Sequence, residues 1–271
     1  MNLVNGIASD AVSVRDRGLA YGDGVFRTFP MRSSRPVLWQ RQYAKLARDC
    51  QTLNLNCPAL ALLDRDMASI SAAEPDCVVK IIITRGDGAR GYALPAAATP
   101  TRVVMTNPLP SHIRHHQETG VRLHLCRIRL AIQPALAGVK HLNRLENVLA
   151  RAEWSEQEIA EGLMCDTDGN VICGTMSNLF AIKNGTLLTP ELTRCGVSGV
   201  MRDLVIELAG SHGIPVQTTA IRIDDLLAVD ELFVVNSVIG LWPVIALDRK
   251  AWNLGTLTAQ LQRWISDAQG D

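Results

Sequence analysis

A lysine used for covalent chemistry has to sit where its amine can shed a proton, and Lys140 is placed for that. It lies in the run GVKHLNRLENVLA, residues 138 to 150, after a Gly-Val turn and before Leu142, Leu145, Leu149 and Ala152 near one helical face. Most lysines are solvated. One at the junction of an apolar strand and an amphipathic helix can enter a cleft, where burial lowers its pKa, and a neutral amine can form a Schiff base. A second stretch, RCGVSGVMRDLVIELA, sets two glycines just before an apolar-periodic helix. The amides of Gly199, Val200 and Met201 then face outward at a helix N-terminus, which is either an anion site or a tight turn with no ligand. In VVNSVIG, Asn236 and Ser237 follow a buried-looking strand and either cap a turn or complete the same cup.

The elements that must position these residues read as an α/β chain. LVNGIA, VFRTFPMRSSRPVLW, CVVKIIITRG and TRVVMTNPLP have the composition of strands, while QRQYAKLARDCQTLNL and ALALLDRDMASISAA have helical spacing. Past residue 120 strands dominate: VRLHLCRIRLA, GLMCDTDGNVICGTMSNLFAIKNGTLLTP, VQTTAIRI and ELFVVNSVIGLWPVIALD, with TDGN and KNGT as hairpin turns. Helices are expected over KHLNRLENVLARAEWSEQEIA, GVMRDLVIELAGSHG and LGTLTAQLQRWISDA. This predicts a small N-terminal α/β domain over residues 1–106, a linker over 107–120 rich in Pro and His, and a larger strand-rich domain with flanking helices over 121–271 that carries Lys140.

Two other groupings carry less. VVKIIITRGDGARG contains a literal G-x-G-x-x-G at Gly86, Gly88 and Gly91. A dinucleotide site needs a helix opening at those glycines and an acidic residue about 20 positions on; here prolines follow and no helix pattern begins, so a flexible loop is expected. Arg90 rides on that loop. His112, His115 and His116 have no Cys, Asp or Glu at ligand spacing, which predicts a solvated loop and no metal.

Composition narrows the partners. Hydrophobic residues make up 47% and charged ones 20%, the balance of a globular chain with a sizeable core. Lys plus Arg and Asp plus Glu are 27 each, which removes the charge argument for nucleic acid or an anionic membrane and leaves a small-molecule substrate. With no apolar run of spanning length and no leader-like start, the expected compartment is the cytoplasm. Seven scattered cysteines without a C-x-x-C pair read as thiols in a reducing compartment.

Together these segments resemble the fold-type IV pyridoxal-phosphate enzymes. The likeness runs in order through VRDRGLAYGDGVF (14–26), RGDGARGY (85–92), LAGVKHLNRLENVLAR (136–151), SNLF (177–180) and GVSGVMR (196–202). DRG..YGDG is shared with branched-chain and D-amino acid aminotransferases, whereas KHLNRLE is similar to the aminodeoxychorismate lyase branch. The resemblance implies a two-lobed subunit, a homodimer with the active site near the subunit interface, and pyridoxal 5'-phosphate carried on Lys140. It implies phosphate contacts from Gly199, Val200, Met201 and Asn236 or Ser237, and it puts Tyr21 and the GDG turn near the cleft.

Three positions depart from that pattern. An arginine that pairs with the phosphate is usual where this chain has Lys45, which keeps the charge and loses the bidentate fork. Arg27 stands where the aminotransferases often have glutamate. Cys173 stands at the usual glutamate that keeps the pyridine nitrogen protonated, and a thiol with a pKa of ~8.5 holds that proton less well.

The activity implied is conversion of 4-amino-4-deoxychorismate to 4-aminobenzoate and pyruvate in folate biosynthesis. The substrate amine would displace Lys140 to give an external aldimine, and the freed lysine would take the proton from the amine-bearing carbon. Arg27 and Arg90 would meet the substrate carboxylates. The alternatives are an aminotransferase of the same fold acting on D-amino acids, branched-chain amino acids or amines, and a degenerate member that binds the cofactor without catalysis.

Overall fold

Two long apolar strands, β3 (Gly24–Arg32) and β5 (Cys77–Thr84), pair antiparallel over their whole length and carry the core of the first half of the chain. The computed structural model describes residues 1–270. It has an α/β fold that divides into two units: Met1–Pro110 with Val139–Asn143, and Ser111–Gly138 with the chain from Arg144 onward.

In the first unit, β1 (Asn2–Val4), β2 (Ile7–Ala8), β3, β4 (Arg35–Pro36), β5 and β6 (Arg102–Asn107) form an antiparallel sheet in the order β2-β1-β6-β5-β3-β4. Its helices are α1 (Arg17–Tyr21), α2 (Trp39–Thr52) and α3 (Leu60–Ala73). Leu46 and Cys50 of α2 and Leu63, Met67 and Ile70 of α3, spaced three or four apart, bury against Val25, Phe29, Val79, Ile81 and Ile83 of the sheet. The Asn5-Gly6 and Ser33-Ser34 pairs take the positive φ values that tight hairpins demand.

In the second unit the strands are β7 (Val121–Leu130), β8 (Ile159–Asp166), β9 (Val171–Gly174), β10 (Asn178–Lys183), β11 (Thr186–Pro190), β12 (Val216–Thr219), β13 (Glu231–Asn236), β14 (Gly240–Leu247) and β15 (Lys250–Ala251). The sheet runs β12-β11-β10-β13-β14-β7-β8-β9, with β15 beside β14. Helices α4 (Ile113–Thr119), α5 (Leu145–Arg151), α6 (Val200–Ser211), α7 (Ile223–Leu227) and α8 (Thr256–Gln269) complete it. Asn184 and Gly185 both have positive φ, as the KNGT hairpin turn requires.

The structure revises the expected layout at four places. The helix expected from Lys140 begins only at Leu145 and ends at Arg151, with a strand from Ile159. Residues 140–142 instead bridge to β3 at His141: the N–H of Phe26 donates to the carbonyl of Lys140 (2.9 Å) and that of Leu142 to Gly24 (3.0 Å). Those bonds to β3 put Val139–Asn143, and so Lys140, in the first unit, whereas the sequence assigned the lysine to the C-terminal domain. The 107–120 stretch holds α4, whose Gln117 side chain donates to the carbonyl of Ile239 at 3.0 Å and whose His116 ring lies 4.8 Å from that of Trp242. VQTTAIRI is a strand only to Thr219. Beyond it Asp225 accepts the N–H of Arg222 at 2.9 Å and opens α7. The glycines at 86, 88 and 91 open no helix; a loop joins β5 to β6. Among the described residues no helix is long and apolar enough to cross a membrane.

Candidate active site

In the first unit a carboxylate that the sequence reading missed organises the candidate residues. Lys45 and Asp49 lie four apart on α2, so their side chains share a face. The Lys45 ammonium is paired with Asp49 Oδ1, and Arg27, on the adjacent β3, reaches Asp49 Oδ2 at 3.4 Å. All three are buried. Burial pulls the Lys45 pKa below the ordinary lysine value; Arg27 and Arg48 pull the same way, while Asp49 opposes them. The second oxygen of Asp49 also accepts the backbone N–H of Lys140 at 3.3 Å. Lys140 is half-buried, and its Nζ sits 4.4 Å from the centroid of the Phe26 ring.

Tyr21, at the end of α1, meets the loop after β5 that carries Arg90. The Tyr21 hydroxyl accepts the N–H of Gly91 at 3.0 Å, its ring lies 5.4 Å from that of Tyr92, and the Arg17 guanidinium lies 4.9 Å from its centroid. Arg17 donates to the carbonyl of Gly91 at 2.9 Å and to Asp23 at 2.9 Å, and Arg85 grips both oxygens of Asp23 at 2.8 and 3.0 Å. Burial works against the charge on Asp23, but its hydrogen bonds to Arg85 and Arg17 win and hold its pKa below the usual carboxylate value. Arg90 is exposed. Arg27 is not: its guanidinium is buried beside Asp49.

In the second unit, Gly199 is the N-cap residue of the twelve-residue helix α6, and no side chain caps that helix. The amides of Val200 and Met201 open its first turn, at the positive end of the helix dipole. Asn178, also missed in the sequence, fixes the turn: its Oδ1 accepts the N–H of Gly199 at 3.2 Å and its Nδ2 donates to the carbonyl of Val197 at 2.8 Å. A Cβ at Gly199 would lie 2.3 Å from Asn178 Oδ1, so a larger residue there would displace the side chain that fixes the turn. Gly138, in the left-handed region, donates to the carbonyl of Gly196 at 3.0 Å and accepts from Ser198 at 3.1 Å. The uncapped helix start and the Gly199 cradle suit a phosphate.

Asn236 is used by the fold. Its Oδ1 accepts the amides of Val238 (2.8 Å) and Ile239 (2.9 Å), and its Nδ2 donates to the carbonyl of Met176 (3.1 Å). Of the two readings of that residue, turn capping is the one drawn in the geometry. Ser237 is half-buried in the same turn. Cys173 lies on β9, opposite Met164 of β8, in an apolar cluster with Cys126, Leu130, Trp154 and Ile172. Two residues on, the chain is clasped by Glu161, a third residue the sequence reading passed over. Its carboxylate accepts from Gly162 N (2.8 Å), Thr175 N (3.0 Å), Thr175 Oγ1 (2.5 Å), Met176 N (3.2 Å) and Ser177 Oγ (2.7 Å). Burial raises its pKa in spite of these donors.

A signal for Asp49 was present in the sequence, four residues after Lys45. Glu161 was signalled only by a carboxylate within the apolar run IAEGLMCD, and Asn178 by nothing local.

Residues 24–247 match the family model for amino-transferase class IV. The chain is 37% identical over 264 residues to an aminodeoxychorismate lyase of Vibrio harveyi, covering 96% of this chain and 97% of that protein. It is 29% identical over 263 residues to a putative branched-chain-amino-acid aminotransferase of Methanocaldococcus jannaschii, covering 94% and 90%. The crystal structure of 4-amino-4-deoxychorismate lyase from Pseudomonas aeruginosa superposes with a TM-score of 0.94 at 47% identity, covering 98% of both chains. On the strength of the family match and of full-length identity well above 30%, this chain belongs to the class IV aminotransferase family.

Proposed function

We propose that this chain is a pyridoxal-phosphate-dependent lyase that converts 4-amino-4-deoxychorismate to 4-aminobenzoate and pyruvate, a step toward folate. The observation that carries the proposal is the near full-length similarity to the Vibrio and Pseudomonas lyases. The geometry adds a lysine with an anchored backbone and an uncapped glycine-led helix start.

When bound, pyridoxal phosphate supplies the electron sink for bond breaking. In this reading Lys140 holds the cofactor and then takes the proton from the amine-bearing carbon of the substrate ring. The amides of Val200 and Met201 hold the phosphate, the Gly199 amide of the expected trio being taken by Asn178, with Ser237 beside Asn236 in support and Lys45 contributing its charge. Arg90, with Tyr21 fixing its loop, binds a substrate carboxylate, and Arg27 favours such anions through its positive charge. Loss of pyruvate makes the substrate ring aromatic, so much of the driving force comes from the substrate. A neutral thiol at Cys173 therefore weakens this reaction less than it would weaken transamination.

The same reading makes the enzyme a cytoplasmic homodimer. Leu145, Val148 and Leu149 of α5 are 69%, 62% and 50% exposed and form one stripe at helical spacing, which a second copy would cover.

The test is to load the purified chain with pyridoxal phosphate and supply 4-amino-4-deoxychorismate. Release of 4-aminobenzoate and pyruvate in equal amounts, lost in Lys140→Ala, is the expected result. Amino transfer to pyruvate or 2-oxoglutarate without 4-aminobenzoate would replace this reading with an aminotransferase.

A further inference from the structure

The last turn of α2 and the segment that follows bring two thiols together. Cys50 is fully buried in the first-unit core, and Cys57, seven residues later, is half-buried against it. Between them the chain doubles back. The N–H groups of Leu53 and Leu55 both donate to the carbonyl of Cys50, at 3.2 and 2.8 Å, and Asn54 takes a left-handed φ of 51°. Tyr43, two turns before Cys50 on the same helical face, donates its hydroxyl to the carbonyl of Pro58 at 3.2 Å and straps residues 57 and 58 along the helix. Arg85 holds the turn from the other side, donating to the carbonyls of Leu53 and Asn54 at 2.8 Å each. Cys57 packs against the apolar cluster that holds Cys50, and each thiol is the main influence on the other's pKa, through a hydrogen bond between them.

We propose that Cys50 and Cys57 are a thiol–disulfide exchange site, oxidised reversibly to an intrachain disulfide by a small-molecule disulfide of the glutathione class. Cys57 is the attacking thiol. The hydrogen bond from Cys50 holds its pKa below the usual thiol value, and it is the more exposed of the two. Its thiolate attacks one sulfur of the small disulfide, which releases one small thiol and leaves a mixed disulfide on Cys57. Cys50 then gives up its proton and attacks Cys57 Sγ, displacing the second small thiol. Two protein thiols are oxidised, one small disulfide is reduced, and both protons end on the small thiols. Cys50, whose pKa is raised first by that hydrogen bond and then by burial, is suited to the second step, in which the neighbouring mixed disulfide brings it a partner at no distance. Cys77, Cys126, Cys165, Cys173 and Cys195 are buried, and burial raises the pKa of Cys77, Cys126, Cys165 and Cys195, so the reaction is confined to one pair. The bridge closes the turn directly after Asp49, the residue that binds Lys45, Arg27 and the Lys140 amide.

The experiment equilibrates the full chain, loaded with pyridoxal phosphate, in buffers of increasing oxidised-to-reduced glutathione ratio. Samples are quenched in acid, alkylated under denaturing conditions and mapped by mass spectrometry. The expected result is a loss of two of the seven alkylatable thiols, both mapping to Cys50 and Cys57 and both restored by dithiothreitol. Cys50→Ser should stop at a glutathione adduct on Cys57, and Cys57→Ser should remain unmodified. Retention of all seven thiols at every ratio, a bridge that involves any other cysteine, or a Cys50→Ser variant without the adduct overturns the proposal. The wild-type mapping decides the bridge even if a variant fails to fold.

Discussion

The carboxylate of Asp49 accepts the backbone N–H of Lys140 at 3.3 Å while its other oxygen pairs with the Lys45 ammonium. One residue of α2 thus couples the main chain of the candidate Schiff-base lysine to a buried cation. Replacing Asp49 with Asn keeps an acceptor for the Lys140 amide but leaves Lys45 and Arg27 without their shared anion. Breaking a buried pair of this kind costs about 3–5 kcal/mol. Urea unfolding of Asp49→Asn should show a loss of that order. Adding Lys45→Met should recover part of it, because the orphaned charge goes with the lysine. Equal stability of the single and double variants would contradict this account.

Lys45 also sets a pH dependence. Its folded pKa lies below the unfolded value, so between the two the unfolded chain binds more protons than the folded one. Stability contributed by this group therefore rises with pH through that window and levels off above the unfolded value. In Asp49→Asn the opposing pull of the carboxylate is absent, so the window extends further toward neutral pH. The difference in unfolding free energy between each protein and its Lys45→Met counterpart, followed from neutral pH upward, measures the effect. A difference independent of pH would be incompatible with it.

Glu161 collects five donors in a buried site, four of them from residues 175 to 177. Glu161→Ala strands those donors, at roughly 1–3 kcal/mol for each buried group that water does not reach. The expected outcome is a large loss of Tm and faster amide exchange at Thr175 and Met176, the residues that follow Cys173. Because burial raises the Glu161 pKa, its own contribution is greatest below the unfolded carboxylate value and declines as pH rises through the folded one. A Glu161→Gln variant should lose that decline.

Cys173 sits among apolar side chains, so a carboxylate there lacks a partner until a cationic ring nitrogen faces it. Cys173→Glu should lower the Tm of the cofactor-free protein and enlarge the rise in Tm on adding pyridoxal phosphate, relative to wild type. A thermal shift measured with and without the cofactor distinguishes this from a residue that never meets the ring. In that case both forms would be destabilised alike.

Most strands and the long helices were legible because their apolar residues repeat at the period of the element they form, as in α2 and β5. The stretch from Lys140 to Asn143 was misread as helix for a reason local pattern cannot overcome: its leucines have helical spacing, but its backbone bonds are taken by β3, over a hundred residues away. The 107–120 stretch reversed the error, with a histidine-rich composition concealing a helix that Trp242 and Ile239 stabilise from afar. Among the candidate site residues, Lys140 and the α6 turn could be picked out from type and position, and Lys45 only through the family resemblance. Asn236 could be picked out but not assigned, since capping a turn and holding an anion ask for the same residue. Asn178 was beyond reach, because its partners lie about twenty residues on, at Val197 and Gly199.

The five residues from Val139 to Asn143 belong to a unit whose remainder ends at Pro110. As the chain leaves the ribosome, that first unit therefore has its six strands before it has its lysine. The edge of β3 that bonds Lys140 and Leu142 must wait for synthesis of the intervening residues 111–138. A fragment stopping at Pro110 would have every strand of the sheet and lack the segment that Asp49 and Phe26 anchor, so a nascent chain gains the candidate Schiff-base amine only after the second unit has begun to emerge.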